Sequence, residues 1–277
     1  MTIRVGFQGK HGTFSEIAAM RYFAGTPMEA VGYPDFIAIM KDCAGGRLQY
    51  AVLPVENTTT GIIARTYDLF QKYPVHAVGE INVPIEENLI VLPGAKIAGI
   101  REVYSHPEAI SQCSGFFRRH PAMHPVAYQD TAASVEYIKQ CQDPVKAALA
   151  SSRAAEYYGM ESILRKVQDS TSNLTRFLCV TALEQQDPEA DKISMMLVLR
   201  HEPGSLCRIL EVLAARQINI LKLESRPIPG RIFEYCFYID FHGNVQSPEI
   251  QQVLEDIRRD STEMKILGCY KAAPQSF

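Results

Sequence analysis

Apolar positions in the first two thirds of the chain come in short runs separated by amphipathic stretches. The runs are "IRVGFQG" (3–9), "YAVLPVEN" (50–57), "VHAVGEINVPIEENLIVL" (75–92, with a break), "EVYSH" (102–106) and "AALAS" (147–151). Each has strand length and ends in polar or turn-forming residues, which predicts strands. Helical spacing of apolar residues predicts helices over 13–24, 34–44, 61–72, 106–119, 131–140 and 152–158. This alternation predicts an α/β fold with mainly parallel pairing. "EQQDPEADK" (184–192) is charged, carries a proline and has no apolar period, so it reads as a linker ending a first domain near residue 183.

From residue 193 the rhythm changes. "ISMMLVLRH" is a strand, and "GSLCRILEVLAARQ" has apolar residues at 206, 209, 210 and 213, a helical stripe. "INILKLESRP" and "RIFEYCFYIDFHG" are strands on either side of the turn former "PIPG". "SPEIQQVLEDIRRD" opens with Ser247 as N-cap and Pro248 at the first helical position, and "EMKILGCY" is a last strand. The order βαββαβ is ferredoxin-like and fills residues 193–277 as a second domain.

Composition narrows the function classes. The chain has 277 residues, 47% of them hydrophobic, and a net charge of −3; mean hydropathy is −0.08 and the pI about 6.2. That balance argues against nucleic-acid partners and polybasic membrane surfaces. No apolar run reaches the ~18–20 residues that span a bilayer, and "MTIRVGFQG" reads as a strand without a signal-peptide core. Seven cysteines without a C-x-x-C pair read as reduced, mostly buried thiols in a cytoplasmic protein. His120 and His124 are four apart, but Pro121 and Pro125 spoil a helical pairing, so neither a metal nor another cofactor is expected.

Three segments put polar groups where strands end. "VGFQGKHGTFSE" (5–16) has glycines at 6, 9 and 12, a spacing that departs from the dinucleotide fingerprint. Thr13 reads as N-cap with Glu16 closing a capping box, and the exposed helix end would suit a carboxylate or phosphate. In "SHPEAISQC" (105–113), Ser105 reads as a second cap, with Gln112 two turns later on the same face; Ser105 is either a cap alone or also part of a site. "PVENTTTG" (54–61) ends a strand with Glu56, Asn57 and three threonines, either a solvated loop or a binding wall. "SNLTRF" (172–177) brings Asn173, Thr175 and Arg176 to the start of another strand. No nucleophile stands with a base at a recognised spacing and no Walker loop is present, which disfavours covalent and phosphoryl-transfer chemistry.

"GFQGKHGTFSEIA", "LPVENTTTG", "SHPEAISQC", "ALASSRAAEYYG" and "NLTRF" stand in the order and at about the spacing seen in prephenate dehydratases. "PGSLCRIL" followed by "INILKLESRP" resembles the ACT regulatory domain that follows the catalytic domain in those enzymes. The resemblance implies decarboxylating dehydration of prephenate to phenylpyruvate in L-phenylalanine biosynthesis. It implies a catalytic domain over 1–183 built of two α/β lobes, like a periplasmic binding protein, with lobe one over about 1–79 and 169–183 and lobe two over about 80–168. By the same carry-over Thr175 is the catalytic hydroxyl, Glu56 orders the site or moves a proton, and Asn57, Ser105, Gln112 and Asn173 contact substrate. Thr13 and Ser15 are candidates for a substrate carboxylate. Arg176 is either a carboxylate clamp or an ion-pair residue behind the site, because strand neighbours point to opposite faces.

In the second domain the resemblance implies feedback inhibition by L-phenylalanine, held between Gly204, Ser205 and Leu206 of one subunit and Asn219, Glu224, Ser225 and Arg226 of another. A homodimer or homotetramer through these domains follows. G-S-L-C stands where the family more often has G-A-L-V, which bears on effector preference. Two alternatives stay open: arogenate dehydratase, from which the lack of a transit peptide leans away, and a non-catalytic amino-acid sensor.

Overall fold

Strand β1 (Ile3–Gln8) buries Val5 and Phe7 completely and takes a parallel partner on each edge, β2 (Met28–Tyr33) and β3 (Tyr50–Asn57). Crossover helices α1 (Phe14–Tyr22) and α2 (Phe36–Ala44) pack on β1 and β3. This is a computed structural model, and it describes residues 2–228, 230–231 and 234–274. The chain divides into two units, one of residues up to Leu69 with Ile81–Phe177, the other of Phe70–Glu80 with the chain from Leu178 onward.

After β3 follow β4 (Gly61–Ile62), α3 (Ala64–Lys72), β5 (His76–Pro84) and β6 (Asn88–Val91). Next come β7 (Glu102–Ser105), α4 (Pro107–Gln112), α5 (Ser114–Arg119), β8 (His124–Ala127), α6 (Thr131–Cys141), β9 (Lys146–Ala150), α7 (Ser152–Tyr158), β10 (Glu161–Leu164) and β11 (Leu174–Thr181). These strands make two sheets, one for each lobe. The order is β5-β11-β3-β1-β2, with β4 on β3, in one sheet and β10-β6-β9-β7-β8 in the other. In β9, Ala147 and Leu149 enter one apolar cluster while Ala148 and Ala150 enter another. The second sheet is therefore covered on both faces, which is why that strand is apolar throughout.

The lobes touch where the glycine turn meets α7. Ser151 caps α7 through Ala154 N–H and donates its own proton to the Gly12 carbonyl. Gly12 has φ +95°, and a Cβ there would lie 2.5 Å from the Ala154 Cα. Gly12→Ala is expected to cost about 1–3 kcal/mol from the left-handed backbone and the clash together. Chemical denaturation followed by circular dichroism measures it; an unchanged midpoint would mean that the turn relaxes.

The second unit continues with β12 (Lys192–Leu199), α8 (Ser205–Ala215), β13 (Ile220–Pro227), β14 (Tyr235–His242), α9 (Pro248–Asp260) and β15 (Ser261–Tyr270), in the order β13-β14-β12-β15. The expected βαββαβ order is present. Ile193, Met195 and Leu197 alternate onto one face and pack with Ile209, Leu213, Val253 and Ile257 of the helices. The opposite face carries Lys192, whose ammonium lies 2.8 Å from Glu80 and 3.8 Å from Asp240, all three buried. The expected strand start at 232–233 and Pro229 of the "PIPG" turn lie outside the described residues.

Elsewhere the structure corrects the sequence expectations. The helix expected over 61–72 starts only at Ala64, because Gly61 and Ile62 fold back antiparallel on Asn57 and Glu56. The helix expected over 106–119 is two helices meeting at Cys113. Strands β2, β8 and β10 lie outside the expected set, none of them having a buried residue to give an apolar run. Pairing in the second sheet is mixed, with β6 antiparallel to both neighbours. Ser247 does stand at the N-cap of α9, but its side chain makes no cap hydrogen bond. No helix of the described residues is long and apolar enough to cross a membrane, and no described cluster of three His, Cys, Asp or Glu could hold a metal ion.

Candidate active site

The turn Thr58–Thr60 between β3 and β4 fixes the orientation of one amide. Asn57 Oδ1 accepts from the backbone N–H groups of Thr59 (2.9 Å) and Thr60 (3.1 Å). Those donors cannot be reversed, so the amide nitrogen must face the other way. There Nδ2 donates to Asn173 Oδ1 (2.7 Å) and Thr175 Oγ1 (2.9 Å). Asn173 then donates to Gln112 Oε1 (2.8 Å), and Gln112 donates to Thr59 Oγ1 (3.3 Å), whose hydroxyl returns to Asn57 Oδ1. The ring of hydrogen bonds is closed, and the two backbone donors on Asn57 set its direction. It joins β3, α4 and the start of β11, so both lobes contribute. Because Thr175 Oγ1 accepts in this ring, its hydroxyl keeps its own proton for a donor role.

The strand start at β11 is held by Thr58 N–H on the Leu174 carbonyl and Ile85 N–H on the Asn173 carbonyl, both 2.9 Å. Strand alternation then sends Thr175 and Phe177 to one side and Arg176 to the other. Thr175 and Phe177 line a cavity of about 550 Å³ within the first unit, of a size that suits a small organic ligand. Arg176 instead lies 3.0 Å from Glu56 and donates to Tyr67 Oη (3.3 Å).

Of the residues picked out by sequence, Thr13, Ser15, Asn57, Gln112 and Thr175 line this cavity. Asn173 lines an adjoining hollow with Gln112. Glu56 and Arg176 line neither, since they face each other on the far side of their strands. Ser105 requires a correction: it is not a cap. It is the last residue of β7, fully buried, and donates to the Leu149 carbonyl (2.7 Å). His106 is the N-cap of α4, its Nδ1 accepting from Glu108 N–H. Ser105 and Gln112 therefore share no helix face. At α1, Thr13 caps as expected, but Glu16 reaches past it to Gly12 N–H (2.6 Å) and His11.

The cavity also holds residues that sequence reasoning passed over: Lys10, Glu87, His106, Glu108 and Asp130. Asp130 carried a readable signal, since it caps α6 through Ala133 N–H (2.6 Å). Burial raises its carboxyl, opposed by the α6 backbone N–H groups. Glu87 carried none, because an acidic residue between two strands reads as solvated. The starts of α1 and α6 both reach the cavity through Thr13, Ser15 and Thr131, and helix starts favour anions.

In the second unit, Gly204 precedes α8 with φ +83° and lines a hollow of about 310 Å³ with Ser205 and Leu206. Asn219, Glu224, Ser225 and Arg226 do not line it. Glu224 and Arg226 pair with Tyr238 and Cys236 of β14, and Asn219 is exposed before β13.

Residues 5–185 match the prephenate dehydratase family and residues 194–259 the ACT domain. The chain is 35% identical, over 96% of its own length and 70% of the relative's, to a bifunctional chorismate mutase/prephenate dehydratase of Enterobacter agglomerans. A prephenate dehydratase of Arthrobacter aurescens in complex with L-Phe has a TM-score of 0.89 at 26% identity, covering 97% of this chain and 90% of that one. A chain described as a quorum-quenching acylase, GqqA, also has a TM-score of 0.89, at 27% identity and 98% coverage of both chains. The matched span and the identity decide the matter: this chain belongs to the prephenate dehydratase family, with an ACT domain after the catalytic domain.

Proposed function

We propose that the cavity binds prephenate and that the chain converts it to phenylpyruvate, water and CO2 as a cytoplasmic enzyme of L-phenylalanine biosynthesis. The observation that carries the reading is the closed amide ring that presents Thr175 to a cavity reached by two helix starts. Thr13, Ser15 and the helix ends would take the carboxylates, and Asn57, Asn173 and Gln112 would hold Thr175 in place. Glu56 and Arg176 support β3 and β11 from behind as an ion pair. Their position favours an ordering role over a carboxylate clamp. The catalytic domain would span 1–183 as two lobes, with the ACT domain over 193–277. Loss of CO2 and hydroxide makes an aromatic ring, so the protein need mainly hold a dianion and assist the departing oxygen.

Phenylpyruvate formation, read by its absorbance in alkali, tests the reading; no product above the spontaneous rate would leave a binding protein. Relative kcat/KM on prephenate and arogenate separates the two dehydratases.

L-Phenylalanine is proposed as the inhibitor, held between two ACT domains of a homodimer or homotetramer. Asn219, Glu224, Ser225 and Arg226 do not line the hollow at Gly204–Leu206 within one chain, which supports a site completed by a second copy. Asn219→Ala is expected to raise the L-phenylalanine concentration for half inhibition about tenfold or more, the loss of one hydrogen bond to a charged amino group. An unchanged inhibition curve would remove Asn219 from the site.

A further inference from the structure

Glu87 takes no part in the amide ring, yet it lines the same cavity. It is 1% exposed, and its Oε2 has no hydrogen-bond partner among the described residues. The backbone around it is fixed: its N–H donates to Gln168 Oε1 (3.1 Å) and its carbonyl accepts from Val167 N–H (2.8 Å). A carboxylate so desolvated is strongly disfavoured, whereas the carboxylic acid is not. Burial alone pushes this carboxyl up from the ordinary glutamate range to about 8.

The charged and titratable groups around it do not reverse that. Cys113, at the α4–α5 junction, is held as a neutral thiol chiefly by burial. Asp169 is engaged with Gly115 N–H and the Ser114 hydroxyl. Elsewhere on the cavity wall stand Lys10, His106, Glu108 and Asp130.

The proposed reaction needs a proton. A substrate dianion becomes a product monoanion, CO2 and water, so one proton is consumed, and a threonine hydroxyl is far too weak an acid to release it. We propose that Glu87, as a buried neutral carboxylic acid on the cavity wall, is the general acid that protonates the departing 4-hydroxyl, an assignment that rests on the dehydratase reading. The C–O bond breaks with its electron pair on oxygen, which takes the Glu87 proton and leaves as water. The electrons of the ring–carboxylate bond enter the ring as CO2 leaves, completing the aromatic system. Glu87 is left as a carboxylate and regains its proton from solvent. Thr175 orients the oxygen and Glu87 supplies the proton.

The test compares wild type with Glu87→Gln, which keeps shape and a donor but has no acidic proton. Wild-type kcat/KM on prephenate, which reports the free enzyme, should fall on the alkaline side with a midpoint near 8. Glu87→Gln should lower kcat about 10²–10⁴-fold with little change in KM, and its alkaline limb should vanish. A near-normal kcat, or an alkaline limb that persists, overturns the proposal while wild-type turnover keeps the dehydratase reading intact.

Thermal stability gives a second readout that needs no turnover. The folded carboxyl is raised above its unfolded value, so the folded state binds more protons. Its contribution to stability is full below the unfolded value and is lost as pH rises to about 8. The Tm of Glu87→Gln should therefore gain on wild type across that interval and then level off. A difference independent of pH shows that Glu87 is not neutral and sinks the proposal. Absence of wild-type turnover with the expected Tm trend would instead end the dehydratase reading, and the general-acid role with it.

Discussion

Thr175→Ala is expected to lower kcat on prephenate by about 10²–10³-fold, the range for removing one preorganised donor from a site where charge develops. KM should stay within about twofold, because the hydroxyl acts mainly on the departing oxygen in the transition state. The geometry behind this is specific. Thr175 is buried, its Oγ1 accepts from Asn57 Nδ2 at 2.9 Å, and Asn57 is itself held by the Thr59 and Thr60 backbone. Removing the hydroxyl leaves Asn57 bonded to Asn173, so the fold should survive. Thr175→Ser keeps the hydroxyl and should retain most of the activity; Thr175→Val keeps the shape and should not. If alanine or valine left kcat near normal, the catalytic hydroxyl would have to be sought elsewhere.

The largest stability effect is expected from Lys192→Met in the second unit. The ammonium lies 2.8 Å from Glu80 and 3.8 Å from Asp240, with all three side chains at or below 7% exposure. Glu80 also accepts from Ala273 N–H (3.0 Å), and Asp240 from the Ser194 hydroxyl (2.6 Å). Replacing the lysine removes the cation that both buried carboxylates share. Breaking such a pair from one side costs about 3–5 kcal/mol, more than the apolar methionine returns. Urea denaturation followed by circular dichroism should show the loss as a lower midpoint with an unchanged slope. Adding Glu80→Gln to Lys192→Met should restore part of it. A midpoint equal to wild type in the single variant would show that the carboxylates take up protons at little cost.

Much of the site was legible because its residues act locally. Thr13 caps α1, as a threonine three residues before a glutamate indicates, and Asn57 ends a strand at a turn rich in threonine. "NLTRF" and "LPVENTTTG" were legible as family motifs, although nothing in either motif says that they touch. Their meeting at Asn57, Asn173 and Thr175 joins residues 116 and 118 positions apart. Ser105 misled because a serine before proline and glutamate resembles a cap; strand pairing with Ala127 carried β7 one residue further and moved the cap to His106.

The sequence by itself determined the α/β class of the first domain, the βαββαβ order of the second and the family, since periodicity and short motifs are local and survive without knowledge of contacts. Only the tertiary structure decided which face each polar residue shows. Arg176 and Thr175 are neighbours in sequence, but strand alternation sends one to Glu56 and the other to the cavity. Glu87 gave no local sign at all. Its isolation from water is made by the walls that the second lobe folds around it, and a carboxyl takes its acidity from those walls.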